Sequence, residues 1–352
     1  LNFLFLAVIL FFMSLGGGFL MVRVIAPKLN LLDVPGYRSS HKRPTPTMGG
    51  LTIVTAFFLG MIVVQFLPVH WERPQWFWWF VAGAGLVAVH GLIDDLRAFP
   101  PLLRLLLFGI VAGLPVAGGI RLEAFAIPLF GLIELKVLEI PISLIWIIAI
   151  ICFYNFMDGI DGLAVGIGVI VTGFLAYIAW EVGNADVFIL SLLLGGSCLG
   201  FVWHNFPPAK IFMGDIGSTF VGYTLAVLAL IANQSEQHGH IPLLVPVLLL
   251  GTFLFDTIVT LGRRILKKKK WYLSHREHYY QRMNNLGFSH LQITLSEYGV
   301  TILLGISVLL YIRSNQMLAF TILVIWLALF TGLAMLITSL EKRALKGREE
   351  ND

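Results

Sequence analysis

Five aspartates lie in three short polar motifs of an otherwise apolar chain, and their spacing suits a divalent cation and phosphate groups. Asp94 and Asp95 are adjacent in GLIDDLR, residues 91–97. Neighbouring helical residues point in different directions, so these two carboxylates can have different tasks. Solvated acids at a helix end would account for one of them. Two, followed by Arg97 and Arg104, suit a metal or phosphate site better. Asp158 and Asp161 are three apart in NFMDGIDGLAVG, residues 155–166, and share a face if the segment is helical. Gly159 and Gly162 let backbone or ligand approach closely. The acid and glycine spacing does not fit a calcium loop. Asp215 lies in HNFPPAKIFMGDIGSTFVG, residues 204–222, where Gly217 and Ser218 open an apolar helix. A helix start favours anions, and one carboxylate there also suits Mg²⁺, which takes oxygen ligands and keeps its waters. His204 reads as a structural histidine at a helix interface.

Two basic segments accompany the acids. DVPGYRSSHKRPTPTMGG, residues 33–50, is broken by Pro and Gly and brings Ser39, Ser40, His41, Lys42 and Arg43 together. It is either a re-entrant turn with basic anchors or a loop that faces an anionic lipid head or a diphosphate. The second segment begins with DTIVTLGRR at Asp256, passes through KKKK at 267–270, and continues into SHREHYYQR. A basic belt at a membrane surface explains the lysines. It does not explain His275, Arg276, His278, Tyr279 and Arg282 so close together. Arginine forks suit phosphate, and histidine adds hydrogen bonds or carries protons.

The elements that must position these groups are membrane helices. Of 352 residues, 58% are hydrophobic and 12% charged, about half the charge of an ordinary soluble domain. A soluble fold cannot hide that much apolar surface. Eleven spans are expected, over 3–26, 49–69, 76–93, 102–120, 141–156, 162–180, 187–204, 212–232, 241–262, 294–312 and 316–339. The fold class is therefore an all-α polytopic bundle. Residues 1–340 form one transmembrane catalytic domain, with loops 27–48, 94–101, 155–161, 204–215 and 263–293 on one side and a charged tail at 341–352. That side carries 19 Lys and Arg against 4 on the other, which makes it cytoplasmic, with the N-terminus outside and the C-terminus inside. The first apolar run reads as a spanning helix and not a removed signal. Cys152 and Cys198 read as buried small hydrophobes. The net charge of +4 reports membrane orientation, and no nucleic-acid module is visible.

RSSHKRPTPTMGG, the Asp94–Asp95 pair, NFMDGIDGLAVG and FMGDIGS, in this order and on one side, resemble the polyprenyl-phosphate N-acetylhexosamine-1-phosphate transferases, glycosyltransferase family 4. The resemblance covers nearly the whole chain. It implies catalysis and lipid-phosphate handling by Asp94 and Asp95. It places Asn155, Asp158 and Asp161 in the family's Asn-x-x-Asp-Gly-x-Asp-Gly motif and makes Asp215 the Mg²⁺ ligand. Asn205 would contact the nucleotide base, with Phe212 stacking near it. Arg104 stands where the family usually has lysine. The pentapeptide transferases of this family carry a histidine run where this chain has SHREHYYQR, so it looks like the O-antigen-initiating branch.

The implied reaction moves N-acetylhexosamine-1-phosphate, from N-acetylglucosamine or a 6-deoxy relative, from its UDP-sugar to undecaprenyl phosphate and releases UMP. The implied cofactor is Mg²⁺, with Mn²⁺ as a substitute. The implied place is the bacterial inner membrane with the site facing the cytoplasm, as a monomer or a homodimer among membrane lipids. Transfer in one step and transfer through an aspartyl-phosphate both remain open. The rivals are a phospho-N-acetylmuramoyl-pentapeptide transferase and, from another class, a secondary transporter. A transporter usually binds its cargo near mid-membrane, whereas these acids lie at one face.

Overall fold

The structure, a computed structural model, describes residues 2–29, 31–33, 44–67, 71, 73–234, 239–270, 273 and 275–349. Its helices are α1 (Asn2–Leu20), which continues through a π-helical turn at Met21–Ile25 into α2 (Ala26–Leu29), then α3 (Gly50–Val64), α4 (Phe77–Leu96), α5 (Pro101–Ala117), α6 (Glu139–Met157) and α7 (Leu163–Val182). There follow α8 (Ala185–Asn205), α9 (Gly214–Gln234), α10 (Leu244–Leu249), α11 (Gly251–Leu266), α12 (Tyr279–Asn285), α13 (His290–Tyr311) and α14 (Gln316–Glu349). Among the described residues, eight helical stretches are long and apolar enough to cross a membrane, so the chain is a multi-pass membrane bundle.

Each of the eleven expected spans contains helix, but not all are alike. α3 and α5 are shorter than the eight. The span expected at 241–262 is broken at Leu250 into α10 and α11. Pro246 lies four residues before that break and has no N–H to give to a helix ladder.

α9 is the axis of the bundle. It is buried along nearly its whole length and packs chiefly against α6 and α4. Tyr223 of α9 stacks on Phe80 of α4 at 5.9 Å, and its hydroxyl donates to the Phe80 carbonyl at 3.1 Å. α14, by contrast, is mostly exposed, and Leu318, Val324, Leu327 and Met335 are among its bare side chains. In water such a face would be a liability; in a bilayer it is the lipid-facing wall.

Local signals set the helix ends. Pro100-Pro101 follow the end of α4, and Pro101 occupies the first turn of α5, where a missing N–H costs nothing. Asn184 caps α8 by accepting from the Val187 amide at 3.0 Å, and Ser289 caps α13 through the Gln292 amide at 3.2 Å.

Two small antiparallel ribbons qualify the all-helical expectation. β1 (Leu32–Asp33) pairs with β2 (Thr45–Pro46), and β3 (Ala124–Ile127) pairs with β4 (Gly131–Glu134). The β3–β4 hairpin lies at the end of the bundle away from the aspartates. There Asn233 Nδ2 donates to the Ala124 carbonyl at 2.8 Å and the Leu129 amide donates to Gln316 Oε1 at 3.3 Å.

Candidate active site

The polar motifs meet at the opposite end of the bundle, where α4, α6 and α8 finish and α5, α7, α9 and α13 begin. The start of α9 organises this mouth. The Asp95 carboxylate accepts the Asp215 amide on Oδ1 at 2.8 Å and the Ile216 amide on Oδ2 at 3.0 Å. It thus satisfies two backbone donors that a helix start leaves without partners, and its charge faces the positive end of the helix. Gly214 makes this approach feasible. Its φ is +75°, and a Cβ there would lie 2.6 Å from Asp95 Oδ2. Gly91 brings α4 onto the same spot, since a Cβ on it would come within 2.5 Å of Ile216 Cα. The MGG segment joins through backbone bonds: the Gly49 amide donates to the Phe212 carbonyl at 2.9 Å and the Gly50 amide to that of Met213 at 2.8 Å.

With its backbone fixed in this way, Asp215 turns its side chain into the mouth. Asn155 Nδ2 donates to Asp215 Oδ1 at 2.7 Å and to Ser218 Oγ at 2.8 Å. Arg104 Nη1 lies 3.7 Å from Asp215 Oδ2, and Arg104 Nε lies 2.7 Å from Asp94 Oδ2. The Phe99 amide donates to Asp94 Oδ1 at 2.7 Å. Arg104 thus stands between the two carboxylates of Asp94 and Asp215. Asp158 is half-buried just past α6. Burial pushes its carboxyl well above the ordinary range, and the charges of Asp215, Asp95 and Asp161 push the same way.

Asp161 is held on the flank. Its Oδ1 is 3.1 Å from His290 Nδ1 and its Oδ2 accepts the Ala209 amide at 3.0 Å. Asn205 works beside it as a clamp between loops. Its Oδ1 accepts the Gly162 amide at 3.0 Å, and its Nδ2 donates to the Ile211 carbonyl at 2.9 Å. Phe212 is half-buried, and its amide donates to the Pro46 carbonyl at 2.8 Å. His41 and Lys42 lie outside the described residues.

Residues 275–282 fold against the second aspartate motif. His278 is buried, with Nδ1 3.0 Å from Asp256 Oδ1. The Tyr280 amide donates to Asp256 Oδ2 at 3.3 Å, and the Tyr280 hydroxyl donates to the Phe156 carbonyl at 2.9 Å. His275 stacks on His278 at 4.8 Å, and its Nδ1 accepts the Glu277 amide at 3.4 Å. Burial, then the neighbouring His278 and Arg264, push the pKa of His275 down to about 4, so it is neutral at pH 7. Arg276 is half-buried, and its Nε has no hydrogen-bond partner. Arg282 reaches the other way. Its Nε donates to Glu341 Oε1 at 2.9 Å and its Nη2 to Thr338 Oγ1 at 2.9 Å, which ties α12 to α14. Tyr279 lies under Arg282 with that guanidinium 4.7 Å from its ring centroid.

Three residues in or beside the site had no assigned role in the sequence reading. Asp256 and His90 are polar residues inside apolar runs, a signal in itself. His290 had none, because its pairing with Asp161 spans 129 positions.

An apolar bundle with an acid-lined mouth at one end defines a polytopic membrane protein whose polar site opens at the membrane surface. Residues 77–233 match the family described as Glycosyl transferase family 4. The chain is 32% identical over 319 residues to a probable undecaprenyl-phosphate N-acetylglucosaminyl 1-phosphate transferase of Bacillus subtilis, covering 90% of this chain and 85% of the relative. It is 32% identical over 309 residues to a decaprenyl-phosphate N-acetylglucosaminephosphotransferase of Mycobacterium tuberculosis, covering 79% and 74%. A phospho-N-acetylmuramoyl-pentapeptide-transferase of Clostridium botulinum is 31% identical over 204 residues, covering 55% and 61%. The chain belongs to glycosyl transferase family 4, within the superfamily of polytopic polyprenyl-phosphate sugar-1-phosphate transferases.

Proposed function

We propose that this chain transfers N-acetylhexosamine-1-phosphate from a UDP-sugar to undecaprenyl phosphate, as the first membrane step of a surface polysaccharide such as O-antigen. The observation that carries the reading is the gathering of Asp94, Asp215, Arg104 and Asn155 at the mouth of an apolar bundle. A polyprenyl tail needs lipid and a nucleotide sugar needs water, and such a mouth offers both. The excess of Lys and Arg in the loops on the side of the mouth supports placing it at the cytoplasmic face of the inner membrane, where UDP-sugars are found.

In this reading an oxygen of the lipid phosphate attacks the sugar-side phosphorus of the UDP-sugar, and the bond to UMP breaks. A phosphate monoester has a second pKa of about 6 and is largely a dianion at neutral pH, so a general base gains little. Charge neutralisation is the larger task. Arg104, shared between Asp94 and Asp215, is placed to turn onto a phosphate. Asp95 and Asn205 act as positioning groups, the first for α9 and the second for the loop between α8 and α9.

Among the described residues no three His, Cys, Asp or Glu side chains form a metal cage. Mg²⁺ does not ask for one: it binds through one or two carboxylates plus substrate phosphates and water. The all-oxygen donors and the crowded negative charge therefore fit it. Asp215 would hold it, with Asp94 on the other side of Arg104. Bound there, Mg²⁺ would supply charge stabilisation for the leaving UMP.

The replacement of a histidine run by SHREHYYQR supports a small N-acetylhexosamine over a pentapeptide-bearing sugar, and the bulk it brings beside the second aspartate motif is in keeping with that: the Tyr280 hydroxyl donates to the Phe156 carbonyl and the His278 ring lies 6.0 Å from that of Phe156. The test is a panel of UDP-sugars offered with undecaprenyl phosphate and Mg²⁺, with lipid products read by mass. UDP-N-acetylglucosamine or a 6-deoxy relative should give a sugar diphospho-lipid. Efficient use of UDP-N-acetylmuramoyl-pentapeptide would overturn the branch, and sugar flux without product would favour a transporter.

A further inference from the structure

We propose that His90 binds the phosphate head of the acceptor lipid, together with Arg104, in the seam between α4 and α5. The inference rests on the transfer reaction proposed above and adds to it a residue that recognises the acceptor.

His90 precedes Asp94 by one turn of α4, about 6 Å along the helix axis. On α5 Arg104 precedes Phe108 by the same interval. The seam thus has two rungs. The outer rung is the Asp94–Arg104 ion pair, 2.7 Å long. In the inner rung the His90 ring lies 4.9 Å from that of Phe108 and 5.5 Å from that of Phe99. His90 is 4% exposed, and neither Nδ1 nor Nε2 has a hydrogen-bond partner.

A buried polar ring with both nitrogens unpaired carries a desolvation cost that an apolar ring of the same shape would avoid. Phenylalanine would fill this aromatic slot without that cost. The side chain therefore makes sense if its partner arrives with a ligand. The charges that act on His90 are Asp215 and Arg104, both members of the acid-lined mouth. Arg104 is about one-third exposed and closes the seam toward the mouth. An anion that draws Arg104 off Asp94 opens the way to His90.

Both reactants carry phosphate, and position decides between them. His90 lies on the membrane side of the Asp94–Arg104 pair. A phosphate that arrives on an isoprenoid tail comes from that direction, whereas a nucleotide diphosphate comes from water. A monoester phosphate also has several acceptor oxygens, enough for the Arg104 fork and one imidazole N–H together.

The test is direct binding in detergent of undecaprenyl phosphate, undecaprenol and UDP to the wild type, His90→Phe and His90→Gln. Phenylalanine keeps the ring and removes the nitrogens. It should weaken binding of undecaprenyl phosphate about 10- to 100-fold, the range for one hydrogen bond to a charged group. Binding of undecaprenol and UDP should stay within about twofold, and glutamine should recover part of the loss. Wild-type affinity of His90→Phe for undecaprenyl phosphate would overturn the proposal, as would an equal loss for undecaprenol, which marks a packing role. If His90→Phe does not yield monodisperse protein, His90→Gln decides on the same two criteria. Binding needs no turnover, so a failure of sugar transfer in the wild type would sink the reaction and leave this result readable.

Discussion

Asp95 tests whether the adjacent acids divide their work. Its two oxygens hold the Asp215 and Ile216 amides at 2.8 and 3.0 Å. Asp95→Asn keeps one acceptor and turns an NH₂ toward the other amide. The loss is one charge-assisted hydrogen bond, about 1.5–3 kcal/mol. Asp95→Ala leaves both amides without a partner, at about 1–3 kcal/mol each where water does not replace the carboxylate. Both variants should therefore melt at lower temperature, alanine more than asparagine. Turnover should fall with stability, because the two amides that Asp95 holds are those of Asp215 and its neighbour Ile216. A displacement of about 1 Å at a reacting group costs on the order of 10²-fold, so Asp95→Asn should lose about that much and need more Mg²⁺ for half-maximal rate. The assays are thermal unfolding in detergent and initial rates over an Mg²⁺ series. If Asp95→Asn melts like the wild type yet loses more than about 10³-fold in rate, Asp95 acts in the chemistry and the positioning argument is wrong.

Two other outcomes follow from the same geometry. His275, with its pKa pushed down to about 4, binds fewer protons than the unfolded chain between that value and about 6.5; its neutral burial is tolerated above that window and costs stability as pH falls through it. His275→Gln should flatten the fall in melting temperature from pH 7 to pH 5, and an unchanged slope would count against a neutral His275. Reporter fusions should read residue 235 as outside and residues 280 and 345 as inside, given the 19-to-4 split of basic residues; a cytoplasmic signal at 235 would reverse the orientation.

The sequence carried the helical architecture because apolar run length is a local property, and lipid leaves few alternatives to helix. Within that architecture, the expected start of α5 at 102 falls one residue after Pro101, whereas α13 begins at His290 behind its Ser289 cap, four residues before the expected 294. Local punctuation was less able to show the break at Leu250, since the run from 243 to 255 is apolar on both sides of it and Pro246 alone does not say where the helix restarts. The β3–β4 hairpin was also hidden, because its residues read as a mere link between two spans. Among site residues, Asp94 and Asp215 lie on either side of Arg104, a neighbourhood that the residue types suggest but the spacing does not specify. Individual partners were not legible. Nothing local says that Arg282 turns to Glu341, 59 positions away, or that Asp256 holds His278. Those pairings depend on how α11, α12 and α14 pack, and a one-dimensional pattern does not contain that packing.

The five aspartates illustrate why residue type alone underdetermines role. Asp95 is committed to two backbone amides, and Asp161 to His290 and the Ala209 amide. Asp94 faces Arg104, which also reaches toward Asp215 at 3.7 Å. Among the described residues, the basic side chains that pair with these five carboxylates include Arg104 and His290, the latter a cation only when protonated. Burial and the repulsion of neighbouring carboxylates raise Asp158. A divalent cation and the basic side chains that meet the substrates are what such a mouth requires, and an anionic diphosphate could not approach it otherwise. The roles should therefore separate by chemistry. Loss of Asp95 or Asp161 acts through geometry, so stability and rate fall together. Loss of the Asp215 carboxylate, as in Asp215→Asn, keeps the Asp95 cap on its amide and removes charge from the mouth. Its effect belongs to the rate and to the Mg²⁺ requirement, with the fold left standing.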